Sequence, residues 1–334
     1  MKNGNDALQA RDIQEKAYNL LVILGHTAGG KTSVAAHWAH RNGGEIISAD
    51  SRQVYRGMNI GTGKDYADYL VEGQSIPCHC MDIAEPGDQY NVYEYQKDFL
   101  ITFNDIRKRG KIPVLCGGSG MYIEAAIQGY QLIQVPVNEE LRKHLETKTD
   151  EELENLLADL KTLHNRSDTD TRKRMVRAIE IALYQTENTQ LETPYPEIRP
   201  LLVGINYDRE SRRQRITQRL RQRLDEGMID EVQGLLDRGL SFEQLEYYGL
   251  EYKFVAKYLS RELTYAQMFE QLNTAIHQFA KRQMTWFRRM ERNGFKIWWL
   301  DGYLPLEEKL REIDLRFGMT SPISRTRSFA YHFP

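Results

Sequence analysis

The chain has 334 residues, of which 41% are hydrophobic and 28% charged, enough to bury one large domain with an insertion or two domains, and a balance that excludes a disordered or membrane-embedded chain. Lys and Arg number 45 against 47 Asp and Glu, a net charge of −2 that excludes a uniformly basic nucleic-acid binder. The charges are unevenly spread, however: basic residues cluster at 172–177, 209–223 and 281–292 and acidic ones at 150–154, so one face can still meet RNA.

Residues 1–16 are polar and contain no apolar h-region, so no signal peptide is expected. Residues 20–24, an unbroken apolar run ending at Gly25, read as a buried strand, and residues 33–41 after the following glycine-rich turn read as a helix. A second strand is expected at 45–50, a long amphipathic helix at 93–109, a third strand at 111–116 and another at 201–205. Between them, residues 139–163 and 170–185 carry helical periodicity and no strand signal. A proline-bearing stretch at 193–200 leads back to the sheet, and residues 209–292 read as mostly helical. Strands alternating with helices indicate a parallel α/β sheet. The expected divisions are 17–118 for the first part of the core, 119–200 for a helical insertion, 201–315 for the second part of the core and 316–334 for a loosely ordered tail. Only three cysteines occur, Cys78, Cys80 and Cys116, which argues against a disulfide framework and for a reducing, cytoplasmic setting. The single residue between Cys78 and Cys80 is the wrong spacing for zinc. No apolar run approaches the ~20 residues that cross a bilayer, so no membrane partner is expected.

Gly25-His26-Thr27-Ala28-Gly29-Gly30-Lys31-Thr32 fits G-x-x-x-x-G-K-[ST] between a strand and a helix, the P-loop pattern. Its glycines let backbone N–H groups face phosphate oxygens, and the helix N-terminus adds about half a positive charge. Lys31 supplies a point charge and Thr32 a hydroxyl for Mg²⁺. The motif implies a phosphate-bearing ligand without specifying ATP or phosphoryl transfer. Asp50 ends the next strand and is expected to face the same crevice, as a Mg²⁺ ligand, a general base or a helix N-cap. Ser51, Arg52 and Gln53 follow with groups suited to reading a base edge.

Residues 46–64, IISADSRQVYRGMNIGTGK, closely resemble the tRNA dimethylallyltransferases, also called tRNA isopentenyltransferases, of the bacterial type. Four further segments match in order: residues 79–92, Gly117-Gly118-Ser119-Gly120-Met121-Tyr122, residues 173–180 (KRMVRAIE) and residues 280–288 (AKRQMTWFR). The resemblance implies a P-loop NTPase-like parallel sheet with a helical insertion; Mg²⁺ is the expected cofactor, and a monomer is the default expectation. It implies transfer of a dimethylallyl group from dimethylallyl diphosphate to N6 of the adenosine 3′ to the tRNA anticodon, extracted from its stack. It implies that Asp50 is the general base, that Gly25 to Thr32 bind the diphosphate with Thr32 on Mg²⁺, and that Arg219 is an added clamp. Asp50, Ser51, Arg52, Gln53, Ser119, Arg142, Lys173, Arg174, Met175, Val176, Arg177, Tyr248, Gly249, Leu250, Glu251, Tyr252 and Lys253 match positions that touch tRNA. Arg212, Arg215, Arg219 and Arg223 recur at helical spacing beside Ile216, Leu220 and Leu224, and all but Arg219 are expected on a solvated face. Lys281, Arg282, Arg288 and Arg289 are candidates for phosphate contacts, and Trp286 and Phe287 for the core.

Three departures stand out: His26 where the family usually has Pro, Gly29 where it usually has Ser, and Glu251 where many bacterial members have Gly. The rival readings are a P-loop small-molecule kinase, a prenyltransferase acting on free AMP, and a non-enzymatic RNA-binding module.

Overall fold

Five apolar residues in a row suit a strand only if both faces are covered, and Leu20–Leu24 is wholly buried. In the computed structural model, which describes residues 18–130, 132–160, 169, 171–188 and 195–319, this segment is strand β1 of a six-stranded sheet. The other strands are β2 (Gly44–Ala49), β5 (Cys78–His79), β6 (Ile112–Gly117), β7 (Pro200–Asn206) and β8 (Ile297–Asp301), with β3 (Leu70–Val71) and β4 (Gln74–Ser75) forming a separate small hairpin. The order is β5-β2-β6-β1-β7-β8, and every pairing is parallel. From β1 the chain crosses two places to β2, and β6 later fills the gap. The carboxyl ends of β1, β2 and β6 therefore lie side by side, where ligands bind in open α/β sheets.

Helices cover both faces. Helix α1 (Lys31–Asn42) and helix α12 (Leu306–Phe317) bury Val34, Trp38, Leu310 and Ile313 on one side. Helices α2 (Val92–Lys108), α3 (Gly120–Gln128) and α11 (Tyr265–Arg292) bury Tyr95, Phe99, Phe103, Ile123 and Phe287 on the other. A further layer is formed by α7 (Arg209–Asp225), α8 (Met228–Asp237), α9 (Phe242–Tyr247) and α10 (Leu250–Leu259) against the first half of α11. It is cemented by Ile216, Leu220, Val232, Leu245, Val255, Met268 and Leu272.

Residues 130–196 form a second compact unit, with α4 (Glu139–Glu146), α5 (Asp150–Leu160) and α6 (Arg172–Glu187) around Leu145, Leu153, Leu157, Met175 and Ile179. The insertion expected at 119–200 is thus shorter, because α3 packs on the sheet of the first unit. The single helical stretch expected at 139–163 is two helices. Thr149 accepts from the Glu152 amide at 3.2 Å while the Glu152 carboxylate accepts from the Thr149 amide at 2.6 Å, and this reciprocal cap starts a new helix. Strand β8 was not foreseen. The start of the expected 170–185 helix, the 161–163 end of the first stretch and the 320–334 part of the tail lie outside the described residues.

Candidate active site

The turn after β1 is shaped by backbone conformations that few residues accept. Gly25 has φ 148°, and a Cβ there would sit 2.9 Å from the Ile205 carbonyl. Ala28 (φ 58°) and Gly30 (φ 73°) are left-handed. Gly30 caps α1 without a side-chain bond, so the first amides of the helix are left to an incoming anion. His26 lies beneath the loop, fully buried, and its Nδ1 donates to the Thr27 carbonyl at 2.7 Å, since a carbonyl only accepts. Burial pushes the imidazole down to about 4, which keeps it neutral. Gly29 rests on this ring: a Cβ at 29 would meet the His26 carbonyl at 3.0 Å and Cε1 at 3.5 Å. The two departures in the loop are therefore neighbours; the close contact is with the backbone carbonyl of residue 26, and the ring lies at ordinary van der Waals distance.

Lys31 is half-buried, and its Nζ donates to the His26 carbonyl at 2.7 Å. Burial pushes its ammonium down to about 8; Arg219 adds to that push, while Asp50 opposes it. Both charges therefore lie within electrostatic reach of the loop lysine. Arg215 donates from Nε to the Ala28 carbonyl at 3.0 Å and lies over the Tyr207 ring at 4.5 Å, bracing the loop from α7.

Asp50 follows β2 directly. Its Oδ1 accepts from the Arg52 amide at 2.9 Å, and a turn rather than a helix follows, so it is not a helix cap. The Ser51 amide donates to Ser119 Oγ at 3.1 Å, joining this segment to the turn after β6. Gln53 is spent inside the protein: it accepts from Ser48 Oγ at 3.0 Å and donates to the Gly63 carbonyl at 3.0 Å. The turn at 59–61 is held by Glu231, whose carboxylate accepts from the amides of Asn59, Ile60 and Gly61 at 2.7, 2.8 and 3.0 Å.

Gln283 of α11 was not assigned a role from sequence, yet it ties the site together. It is buried; its Oε1 accepts from the Thr27 amide at 2.9 Å and its Nε2 donates to the Gly118 carbonyl at 3.0 Å. A Cβ on Gly118 would lie 2.3 Å from that nitrogen. A glutamine on the apolar stripe of Ile276, Ala280, Met284 and Phe287 was the available signal, because a buried polar side chain must find partners.

Arg219 sits between the loop and the turn at 59–65. It pairs with Asp65 and lines a small cleft with Thr27, Ala28, Ile216, Leu220, Arg223, Glu251 and Ile276. Arg223 is buried, against the expectation of a solvated face.

The residues expected to touch tRNA divide. Arg52 stands over the exposed Tyr247 ring at 5.3 Å. Tyr248 and Tyr252 are buried, with their hydroxyls on the Gly87 amide and on Glu231 at 2.7 Å, so their side chains belong to the core and Tyr247 is the aromatic that faces out. Glu251 faces Arg223, Lys253 pairs with Glu246 at 2.8 Å, Gly249 opens α10 with φ 131° and Leu250 is half-buried. In the second unit, Lys173 and Arg174 are exposed. Met175 and Val176 pack into its core, and Arg142 and Arg177 both grip the buried Glu180. Phe287 is core as expected. Trp286 is half-buried and donates to Glu124 at 2.8 Å, and Arg289 shares that carboxylate, whereas Lys281, Arg282 and Arg288 are exposed.

Among the described residues no group of three or more His, Cys, Asp or Glu could hold a metal. The site offers the Thr32 hydroxyl on the first turn of α1 and the oxygens of a phosphate ligand. A hard cation that keeps its waters and leans on substrate phosphates, as Mg²⁺ does, fits that donor set.

A strand, a left-handed glycine-rich turn, a helix with open amides and a carboxylate at the next strand end define a P-loop-like α/β protein. The family model "IPP transferase" matches residues 53–290, and "Isopentenyl transferase" matches residues 18–76. The chain is 57% identical to tRNA dimethylallyltransferase 1 of Parabacteroides distasonis over 295 residues, 88% of this chain and 96% of that protein. It is 55% identical to tRNA dimethylallyltransferase 2 of Bacteroides fragilis over 293 residues, 88% and 96% of the two chains. The crystal structure of the tRNA isopentenylpyrophosphate transferase from Bacillus halodurans matches with a TM-score of 0.66 at 31% identity, over 90% of this chain and 95% of that one. The chain belongs to the IPP transferase family.

Proposed function

We infer that this enzyme transfers a dimethylallyl group from dimethylallyl diphosphate to N6 of the adenosine 3′-adjacent to the anticodon of tRNA. Membership of the family supports tRNA prenylation. The observation that carries the chemistry is that Asp50 and Lys31 follow the carboxyl ends of β2 and β1, which flank β6 in one parallel sheet, one group suited to a proton and the other to a phosphate.

In the reaction the N6 lone pair forms a bond to C1 of the dimethylallyl group. The C1–O bond breaks, and its electron pair leaves with the diphosphate. The N6 proton passes to the Asp50 carboxylate, which relieves the charge on an amine whose lone pair is otherwise held by the ring. The departing diphosphate gathers negative charge against the loop amides, Lys31 and Arg219, which stabilises the transition state more than the ground state. Thr32 would hold Mg²⁺, which supplies further neutralisation of the diphosphate. The turn bond from the Arg52 amide fixes the Asp50 carboxylate, and Ser119 aligns the same segment. Tyr247, Lys173 and Arg174, which are exposed, and the half-buried Arg52 offer cationic or aromatic surface of the kind that meets RNA phosphates and bases.

Arg219→Ala tests the division of labour. The KM for dimethylallyl diphosphate is expected to rise by about tenfold or more, the scale of one lost charge-assisted phosphate contact, with the Kd for an unmodified anticodon stem-loop unchanged. A loss confined to stem-loop binding would move Arg219 to the RNA side.

A further inference from the structure

One helical turn beyond Arg219, α7 carries an arginine that the reaction as described leaves without a task. Arg223 is 8% exposed and lines the same cleft as Thr27, Ala28 and Arg219. Arg215, Arg219 and Arg223 recur every four residues, so they share one face of the helix. The first grips the loop at the Ala28 carbonyl, the second pairs with Asp65 and the third reaches inward. The Arg223 guanidinium fills the space over Gly63, where Nη2 would lie 1.7 Å from a Cβ. Only a glycine turn admits it.

The bonding of Arg223 is incomplete. Nη1 reaches Glu251 Oε1 at 3.4 Å, a long contact for a buried pair. The Nε–H is buried and has no partner among the described residues. A guanidinium withdrawn from water needs its donors satisfied, and a buried donor left over costs the desolvation of that group. Thr27 and Ala28, at the start of the phosphate loop, line the same cleft, where an anion held by that loop would supply the missing acceptor. Glu251 is the counter-charge. Burial pushes its carboxyl up while Arg223 draws it down, and Asp50 and Arg219 are the other charges acting on it. This also accounts for the glutamate at a position where many family members have glycine: its side chain serves the diphosphate side of the site, not the RNA.

We propose that Arg223 is a second diphosphate-binding arginine beside Arg219, and that Glu251 is the positioning residue that keeps it folded into the cleft. The inference rests on the prenyl-transfer reading of the site. Its guanidinium fork would present Nε–H and an Nη–H together to the phosphate oxygens, the geometry for which arginine is suited and lysine is not.

The test uses the full-length protein with Mg²⁺, titrated calorimetrically with inorganic pyrophosphate and separately with an unmodified anticodon stem-loop. The native chain is expected to bind both. Removing both buried charges together, as Arg223→Met with Glu251→Gln, avoids stranding either one. This variant is expected to melt near the native temperature, to bind pyrophosphate about tenfold or more weakly and to keep its stem-loop Kd. Should the double replacement not fold, Arg223→Lys carries the test, since it keeps the charge opposite Glu251 and loses only the fork; a severalfold weaker pyrophosphate Kd is expected. Unchanged pyrophosphate binding in the folded variant would make the pair a structural brace and overturn the proposal. Stem-loop binding lost with pyrophosphate binding intact would overturn it in favour of an RNA contact. A native chain that does not bind pyrophosphate would overturn the prenyl-transfer reading itself, and this inference with it.

Discussion

Asp50→Asn is expected to lower turnover by roughly 10²-fold or more, the scale of a lost general base, while the Kd for the anticodon stem-loop stays as it was. Asparagine is the informative replacement because its Oδ1 can still accept from the Arg52 amide, the bond that shapes the turn at 2.9 Å. What it loses is the capacity to take the N6 proton. Single-turnover rates at saturating dimethylallyl diphosphate separate the chemical step from binding. Asp50→Ala removes the turn bond as well, so it is expected to add a rise in the KM for RNA to the same loss of rate. If Asp50→Asn turned over at near-native speed with weakened RNA binding, the carboxylate would be a positioning group and the proton would have another acceptor.

Lys31→Met is expected to reduce kcat/KM for dimethylallyl diphosphate by roughly 10²- to 10³-fold, the range for losing a preorganised charge at a departing anion. The native enzyme carries a pH signature of the same residue. Burial holds the free Lys31 ammonium at about 8, and a bound diphosphate raises it again by favouring the charged form. Binding above pH 8 therefore takes up a proton, and affinity is full below that value and falls as pH rises through it, by about tenfold per unit well above it. Lys31→Arg keeps its charge throughout this range and flattens the profile. A native profile that stayed level to pH 9.5 would show that the lysine charge does not set diphosphate affinity.

Much of the core was legible because its signals are local. The buried run at Leu20–Leu24 falls where it was expected, and the strands at Gly44–Ala49, Ile112–Gly117 and Pro200–Asn206 each begin or end within a residue of their expected bounds. Buried parallel strands read as unbroken apolar runs, and the glycine punctuation after them marks the turns. Strand β5 escaped notice because two residues, Cys78 and His79, carry no pattern. Strand β8 escaped although Asn293 and Gly294 end the 28-residue helix before it, because a five-residue run, Ile297–Asp301, is too short for its pattern alone to tell a strand from a helix segment.

The site was legible where backbone conformation is written in residue type. Gly25, Gly30 and Lys31 announce a loop whatever surrounds them. It was not legible where side chains far apart in sequence share one hydrogen-bond network. Gln283 meets Thr27 across 256 positions, and nothing in the helix pattern says which partner a buried amide finds. The same limit explains the tRNA set. Matching segments identified the stretch at 248–253 and not which side chains face out, and the two tyrosines within it turn inward while Tyr247 just outside it is exposed. Arg223 shows the converse: arginine spacing on a helix predicts a solvated face until a glycine turn and a glutamate from another helix close over it.

The most direct measurement of the central claim is transfer itself. The purified full-length protein is incubated with Mg²⁺ and dimethylallyl diphosphate labelled in the dimethylallyl group, with unmodified anticodon stem-loop RNA in one reaction and AMP in another. The account predicts label in the RNA alone, recovered as N6-dimethylallyladenosine, with release of diphosphate. Label entering AMP would contradict it in favour of a free-nucleotide acceptor. Label entering neither, from folded protein that turns over ATP, would contradict it in favour of phosphoryl transfer.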